Sequence, residues 1–256
     1  MTGPTAGSRP CLSFYSLSEL CKRPKPMESK YWMGSMPPIK IAPSMMNADF
    51  AHLADDVAVL EECGVETLHV DVGDGHFVPN LMLGPRFVEV LREITDLHID
   101  CHLMVTDPQK YAPVFIKAGA NLVFFHIEVV PQPMSLIESV KNLGAKVGIA
   151  LKPATPASSI ADCVRELDAV MAMTVVPGFS GQKFMQEGCE RIPEIRRNAA
   201  PELDVFVDGG INTETAPIAV RYGANVLAAA SAVFPREKSI PEAVKALREA
   251  GNSVLD

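Results

Sequence analysis

From Ile39 onward, short apolar runs alternate with segments whose apolar residues recur at the 3.6-residue period of an α-helix. The apolar runs predict eight strands, over residues 39–43, 66–71, 98–105, 121–126, 146–151, 168–175, 203–207 and 225–230. The periodic segments predict eight helices, over residues 49–63, 85–94, 108–118, 133–143, 156–165, 183–198, 213–222 and 239–250. Glycine follows several of these helices, as at Gly119 and Gly223, which is typical of a helix C-terminus that leads into a strand.

Eight strand–helix units in one α/β chain predict a (β/α)8 barrel, the TIM-barrel fold. A doubly wound parallel sheet is the alternative. The barrel is favoured because polar residues follow the first three and the last three predicted strands. A closed barrel brings all of those strand ends to one rim, whereas an open sheet would spread them apart.

Residues 1–37 differ from the rest of the chain. They are rich in Ser, Pro, Lys and Arg, contain two acidic residues and show no hydrophobic period. This composition predicts a disordered extension, with a transit segment for organellar import as the functional alternative. Residues 38–256 are then expected to form a single catalytic barrel, and a cytoplasmic location is expected unless the extension directs import.

Composition narrows the class of function. About half of the 256 residues are apolar, and the net charge of −8 argues against a nucleic-acid partner, which needs a basic face. No apolar run approaches the roughly 20 residues of a membrane span. The six cysteines form no CxxC pair, which is typical of a reduced intracellular protein.

Two histidines and two aspartates lie at or near the C-terminal ends of predicted strands: His69, Asp71, His102 and Asp208. His69 and Asp71 are two residues apart, so they share one face of their strand. Two imidazoles with two carboxylates suit one divalent metal ion, Zn²⁺, Fe²⁺, Mn²⁺ or Co²⁺. Two carboxylates beside such a metal could also remove a proton from one face of a sugar carbon and return it to the other.

Glycine-rich loops predict a second feature, an anion site. Gly178, Phe179, Ser180 and Gly181 follow the sixth predicted strand, Gly209 and Gly210 follow the seventh, and Ala230 and Ser231 follow the eighth. Glycines let backbone N–H groups approach an anion closely, and the loops after the last strands of such barrels commonly bind phosphate.

The chain from Ile39 to about Phe234 resembles the ribulose-phosphate 3-epimerase family. The matching segments fall in order: IAPSMMNADF (41–50), HVDVGDGHFVPN (69–80), DCHLMV (100–105), KPATP (152–156), MTVVPGFSGQKF (173–184) and VDGGIN (207–212). The resemblance implies a ribulose-phosphate-binding barrel that interconverts D-ribulose 5-phosphate and D-xylulose 5-phosphate in the pentose phosphate pathway. It also implies a homo-oligomer, because members of the family form dimers and hexamers.

The resemblance further implies a role for individual residues. His69, Asp71, His102 and Asp208 would bind the metal. Asp71 and Asp208 would act as the acid and base on opposite faces of C3, with an enediolate between the two proton transfers. The expected substrate-binding residues are Ser44, His102, Gly178, Phe179, Ser180, Gly181, Gly209, Gly210, Ala230 and Ser231, and Met104 and Met173 are expected to line the metal pocket.

Four positions depart from the family pattern. Gly73 stands where methionine is common, Ser180 and Ala230 stand where glycine is usual, and Val176 replaces a polar residue. Gly73 is expected to widen the pocket, and Ala230 to introduce strain if its backbone has a positive φ. A wider pocket would suit epimerisation of a ketohexose 6-phosphate such as allulose 6-phosphate. A sugar-phosphate-binding barrel without turnover is the other alternative, although such a protein would need neither aspartate.

Overall fold

A computed structural model describes residues 37–235 and 238–255. The predicted extension therefore lies almost wholly outside the described residues. Eight parallel strands form one sheet in the described part of the chain. They are β1 (Lys40–Pro43), β2 (Thr67–Gly73), β3 (His98–Met104), β4 (Leu122–His126), β5 (Lys146–Leu151), β6 (Ala169–Met173), β7 (Asp204–Asp208) and β8 (Val226–Ala229).

The strands run in the order β1-β8-β7-β6-β5-β4-β3-β2, so each strand from β2 to β8 pairs with its neighbour along the chain. β1 pairs with β8 over four residues, from Lys40 opposite Val226 to Pro43 opposite Ala229. A single bridge between Ser44 and His69 joins the remaining edges, β1 and β2. The predicted (β/α)8 barrel is confirmed, and the seam between β1 and β2 lies beside His69.

Within the described residues, seven α-helices surround the sheet: α1 (Leu53–Glu62), α2 (Pro85–Ile94), α3 (Pro108–Ala118), α4 (Met134–Asn142), α5 (Ile192–Asn198), α6 (Ala216–Arg221) and α7 (Ile240–Asn252). None of them is long and apolar enough to cross a membrane.

The connection between β5 and β6 differs from the prediction of a helix over 156–165. It consists of two 3₁₀ turns, Ala157–Ile160 and Val164–Glu166. Serine and aspartate side chains in this segment compete with the helical hydrogen bonds of the backbone. Ala157, Ile160 and Val164 are nevertheless buried. The apolar pattern therefore predicted the buried positions of this segment but not its secondary structure.

The predicted helix over 183–198 is also shorter than expected. It contains a 3₁₀ turn at Gln186–Gly188 and then α5, which has Pro193 in its first turn. Proline lacks an N–H group and is favoured in the first turn of a helix, which agrees with the start of α5 at Ile192. The long loop before α5, residues 174–185, borders the rim of the barrel.

The interior of the barrel is filled by small residues packed around two aromatic rings. Phe124 and Phe206 meet edge to face with centroids 4.8 Å apart. Gly148 provides room for the first ring, because a Cβ there would lie 2.3 Å from Phe124. Since this apolar layer closes the barrel below, polar side chains at the carboxyl ends of the strands face a cavity above it.

Candidate active site

The His/Asp cluster, defined as His69, Asp71, His102 and Asp208, comes from three strands. His69 and Asp71 point to the same side of β2, and Asp71 lies opposite His102 of β3 in the strand register. Asp208 ends β7. One ligand atom from each of the four residues lies within 4.8 Å of the others. The barrel therefore brings together all four residues that the sequence suggested as metal ligands.

Asp71 is at the centre of the cluster. Its Oδ1 lies 3.2 Å from Nε2 of His69 and 3.2 Å from Nδ1 of His102. Its Oδ2 accepts a hydrogen bond of 2.8 Å from the hydroxyl of Ser44. Asp208 is farther out, with Oδ2 3.6 Å from Nδ1 of His102. Nε2 of His69 and Nδ1 of His102 therefore both face the carboxylates.

The outward nitrogen of His69 contacts a carboxylate that sequence reasoning missed. Nδ1 of His69 hydrogen-bonds to Oδ1 of Asp100 at 2.5 Å, and the hydroxyl of Thr67 donates to Oδ2 of Asp100 at 3.0 Å. Asp100 is fully buried. Asp100 is two residues before His102 in β3, so both side chains lie on the same face of the strand. This spacing could have identified Asp100 from the sequence. A carboxylate behind a histidine fixes the ring and its tautomer.

The outward nitrogen of His102 contacts a second histidine. Nε2 of His102 lies 2.8 Å from Nε2 of His126, which is fully buried at the end of β4. Nδ1 of His126 lies 3.1 Å from Oε2 of Glu128. The other oxygen of Glu128 accepts from the backbone N–H of Lys152 at 2.8 Å and from the hydroxyl of Thr155.

The two aspartates of the cluster have pKa values displaced in opposite directions. Burial would raise the pKa of Asp71, but the charge of His69 lowers it well below the usual value. Burial and the charge of Asp71 raise the pKa of Asp208 to about 6. Burial would lower the pKa of His69, but the charges of Asp100 and Asp71 raise it.

The pKa values of the two groups behind His102 are also displaced. Burial lowers the pKa of His126 to about 4, against the hydrogen bond to Glu128. Burial would raise the pKa of Glu128, but hydrogen bonds from His126, Thr155 and the backbone of Lys152 lower it to about 2. At neutral pH Glu128 is therefore a carboxylate, which only accepts hydrogen bonds, and His126 is neutral.

The donor set fits a divalent metal ion. The cluster offers two nitrogens and two carboxylates. Nδ1 of His69 and Nε2 of His102 hydrogen-bond to groups outside the cluster, so Nε2 of His69 and Nδ1 of His102 face inward. Such a mixed set suits several first-row divalent ions, and it leaves positions for oxygen atoms of a substrate.

A cavity of about 670 Å³ opens above the cluster. Most of the residues predicted for the site line it: Ser44, Asp71, Met104, Met173, Gly178, Phe179, Ser180, Gly181, Asp208, Gly209, Gly210, Ala230 and Ser231. His69 and His102 have no exposed surface. Asn80, Met82 and Lys183, which were not predicted for the site, also line the cavity.

The glycine-loop end of the cavity, defined as residues 178–181 and 209–210, is built by close backbone packing. Gly209 has φ +115°, and a Cβ there would lie 2.4 Å from a methyl group of Val175. Gly210 has φ +67°, and a Cβ there would lie 2.8 Å from the backbone nitrogen of Phe184. Only glycine fits this geometry, so the loops after β6 and β7 can approach each other and a ligand closely.

One expectation about the departures from the family pattern is wrong, and the condition attached to another is not met. Gly73 does not widen the cavity, because the place of its missing side chain is occupied by Met82, Val78 and the backbone carbonyl of Asn80, all within 3.0 Å of a Cβ built there. Ala230 is not strained, since no residue other than glycine has a positive φ in the described ranges.

The fold and the cluster at its strand ends define an enzyme of the (β/α)8-barrel class. The family model described as the ribulose-phosphate 3 epimerase family matches residues 40–234. The chain belongs to this family, and it is therefore an isomerase.

Curated relatives agree with this assignment, and solved structures share the fold. The ribulose-phosphate 3-epimerase of Bacillus subtilis is 44% identical over 80% of this chain and 97% of the relative. The cytoplasmic isoform of Oryza sativa subsp. japonica is 42% identical over 82% of this chain and 93% of the relative. The 3-keto-L-gulonate-6-phosphate decarboxylase of Vibrio cholerae is similar in structure, with a TM-score of 0.63 and 13% identity over 85% of this chain and 98% of its own. At that identity, the similarity shows the fold alone.

Proposed function

We propose that the protein epimerises D-ribulose 5-phosphate and D-xylulose 5-phosphate at C3 with a divalent metal ion in the His/Asp cluster. The observation that carries the proposal is that Asp71 and Asp208 lie in one cluster with His69 and His102, with one ligand atom of each residue within 4.8 Å of the others. The substrate comes from the names of the curated relatives, which are ribulose-phosphate 3-epimerases.

Two carboxylates with different proton affinities can serve as base and acid in one reaction. The ionised carboxylate removes the proton from C3, which is acidified by the neighbouring C2 carbonyl. The protonated carboxylate then returns a proton to the opposite face of the planar carbon. In the reverse direction Asp71 and Asp208 exchange roles, as microscopic reversibility requires.

His69, Asp71, His102 and Asp208 would hold the metal. When bound, a divalent ion supplies a positive charge that stabilises the enediolate formed by loss of the C3 proton. Ser44 fixes Asp71 by donating to its Oδ2. Met104 and Met173 line the same cavity.

The glycine-loop end would bind the phosphate group. Backbone N–H groups near Gly178–Gly181 and Gly209–Gly210 border the cavity, together with Ala230, Ser231 and the cationic Lys183. Backbone N–H groups in such loops bind anions without a cluster of basic side chains. This agrees with the net charge of −8, because a local phosphate site does not require a basic protein.

The test is turnover of D-ribulose 5-phosphate before and after removal of metal by a chelator, with Zn²⁺, Mn²⁺, Fe²⁺ or Co²⁺ then added back. Deuterium uptake at C3 in D₂O, followed by NMR, reports the proton transfer itself. We expect activity and C3 exchange to disappear with the metal and to return with it. A folded, metal-loaded protein that turns over only a ketohexose 6-phosphate would overturn the substrate, and one with no turnover would overturn the catalytic role.

We also propose a homo-oligomer in the cytoplasm. Sedimentation of the purified chain would test the oligomer, and a single monomeric species would contradict it. Fusion of residues 1–37 to a fluorescent protein would test the location. Import of that fusion into an organelle would contradict a cytoplasmic location and indicate a transit segment.

A further inference from the structure

Behind the His/Asp cluster, the groups His126 and Glu128 form a hydrogen-bonded chain that ends on the loop after β5. The chain runs from His102 to His126 over 2.8 Å and from His126 to Glu128 over 3.1 Å. From Glu128 it continues to the backbone N–H of Lys152 and to the hydroxyl of Thr155. His102 and His126 have no exposed surface, so water does not replace the contact between them, whereas the side chain of Glu128 is 22% exposed.

The donors and acceptors in this chain fix one another. The carboxylate of Glu128 can only accept, so the proton of His126 must lie on Nδ1. Nε2 of His126 then carries a lone pair and must accept from Nε2–H of His102. This leaves Nδ1 of His102 without a proton, at the position 3.2 Å from Asp71 and 3.6 Å from Asp208. The opposite arrangement would put two lone pairs face to face between His126 and Glu128.

We propose that His126 and Glu128 are positioning residues that hold His102 in the tautomer able to bind the metal through Nδ1. This inference rests on the proposed function of the His/Asp cluster as a metal site. It extends that site by two residues that belong neither to the His/Asp cluster nor to the cavity lining.

The loop after β2 covers the same chain. The ring of Phe77 packs against His126 with centroids 4.6 Å apart. Nζ of Lys152 lies 3.9 Å from the centroid of the Phe77 ring. Phe77 therefore contacts both His126 and Lys152, on the His126 side of the chain. At the fully buried contact between His102 and His126 an unmatched donor or acceptor is costly, so the tautomer is strongly enforced.

The sharpest test is Glu128→Gln, which keeps the shape of the side chain. The amide cannot accept at both ends. If its oxygen stays with Lys152 and Thr155, its NH₂ donates to His126, and the tautomers of His126 and then His102 must reverse. We expect the affinity for Zn²⁺, measured by competition with a chelator, to fall by about 10- to 100-fold, the usual range for groups behind metal ligands.

Variants of His126 separate positioning from packing. His126→Leu fills space but leaves Nε2–H of His102 without an acceptor, and we expect a loss of Zn²⁺ affinity as large as in Glu128→Gln. His126→Gln offers an amide oxygen at the position of Nε2, and it should restore most of the affinity. Nitrogen-15 NMR of the histidines gives a second readout, because it distinguishes the Nδ1–H and Nε2–H tautomers directly.

Two control variants complete the design. Glu66→Gln removes a carboxylate from an ion pair with Arg248 before the start of β2, at the far end of the barrel, and Zn²⁺ affinity should not change. Thr155→Val removes one of the three partners of Glu128 and leaves His126 and the backbone N–H of Lys152, so it tests a purely structural effect of the loop. We expect Thr155→Val to keep the wild-type tautomer of His126.

The outcomes are distinct. Wild-type Zn²⁺ affinity and tautomers in both Glu128→Gln and His126→Leu would overturn the inference while leaving the proposed function intact. Equal losses in Thr155→Val and Glu128→Gln would also overturn it, in favour of loop packing. A wild-type protein that binds no divalent metal would overturn the metal site itself, and the inference with it.

Discussion

The two ends of the cavity are built from different parts of the same barrel. The His/Asp cluster consists of side chains from β2, β3 and β7, buried and fixed by further hydrogen bonds. The glycine-loop end consists mainly of backbone in the loops after β6 and β7, which are more exposed. The first end depends on which functional groups the chain carries, and the second depends on the conformations that the backbone can adopt.

This contrast predicts different kinetic effects at the two ends. Substitutions in the His/Asp cluster should lower kcat, because its groups act on the reacting carbon. Damage to the glycine loops should raise KM, because phosphate binding contributes before and during the reaction alike.

The largest effect is expected from Asp208→Asn. The amide keeps the shape of the side chain but cannot transfer a proton, so kcat should fall by roughly 10²- to 10⁴-fold. Asp204→Asn, at the start of the same strand, is the matched control, since Asp204 forms an ion pair with Lys40 away from the cavity. Steady-state kinetics at saturating substrate provides the measurement. Near-normal kcat in Asp208→Asn would contradict the two-aspartate mechanism.

The next effect is expected from Gly210→Ala. The new methyl group would meet the backbone nitrogen of Phe184 at 2.8 Å in a residue with φ +67°. Overpacking of about 1–3 kcal/mol together with left-handed strain of about 1 kcal/mol should raise KM by roughly 10- to 100-fold. Gly64→Ala, which has a similar φ of +66° but open space around it, is the control for strain alone. A fall in kcat without a change in KM would remove the distinction between the two ends.

The loop after β2 joins the two ends, and its stability should depend on pH. Burial would raise the pKa of Asp74, but hydrogen bonds from the backbone N–H groups of Thr106, His76 and Phe77 lower it to about 2. A depressed pKa stabilises the fold above the unfolded value of about 3.9 and loses that contribution as pH falls toward 2. Asp74→Asn should therefore flatten the dependence of the unfolding temperature on pH between about 4 and 2. Asp96→Asn, in an exposed turn, should keep the wild-type slope.

The smallest effect is expected from Ala230→Gly, which restores the residue usual in the family. Because Ala230 has no positive φ, glycine relieves no strain there. We expect kcat and KM to stay within about twofold of wild type, because the change removes one half-buried methyl group from the cavity lining and does not alter the backbone conformation. A large fall in KM would show that the methyl group of Ala230 obstructs the phosphate.

The sequence was sufficient to predict the barrel and the four residues of the cluster, because alternating apolar runs and strand-end polar residues are local signals. It was not sufficient for Asp100, His126 and Glu128, whose contacts arise from the register between β2, β3 and β4. Gly73 shows the same limit. Its effect could not be read from one position, since Met82 and Val78 fill the space from the following loop.

The seam of the barrel has a consequence for how the protein is made. Among the eight strands of the sheet, β1 is synthesised first and its partner β8 is synthesised last. Lys40 therefore cannot pair with Val226 until the other strands have been made. Until β8 has been made, the edge of β1 that pairs with it is exposed, and an exposed strand edge can pair with other chains. A chain that terminates before β8 keeps β1 unpaired permanently, so we expect such fragments to aggregate rather than persist as shortened enzymes.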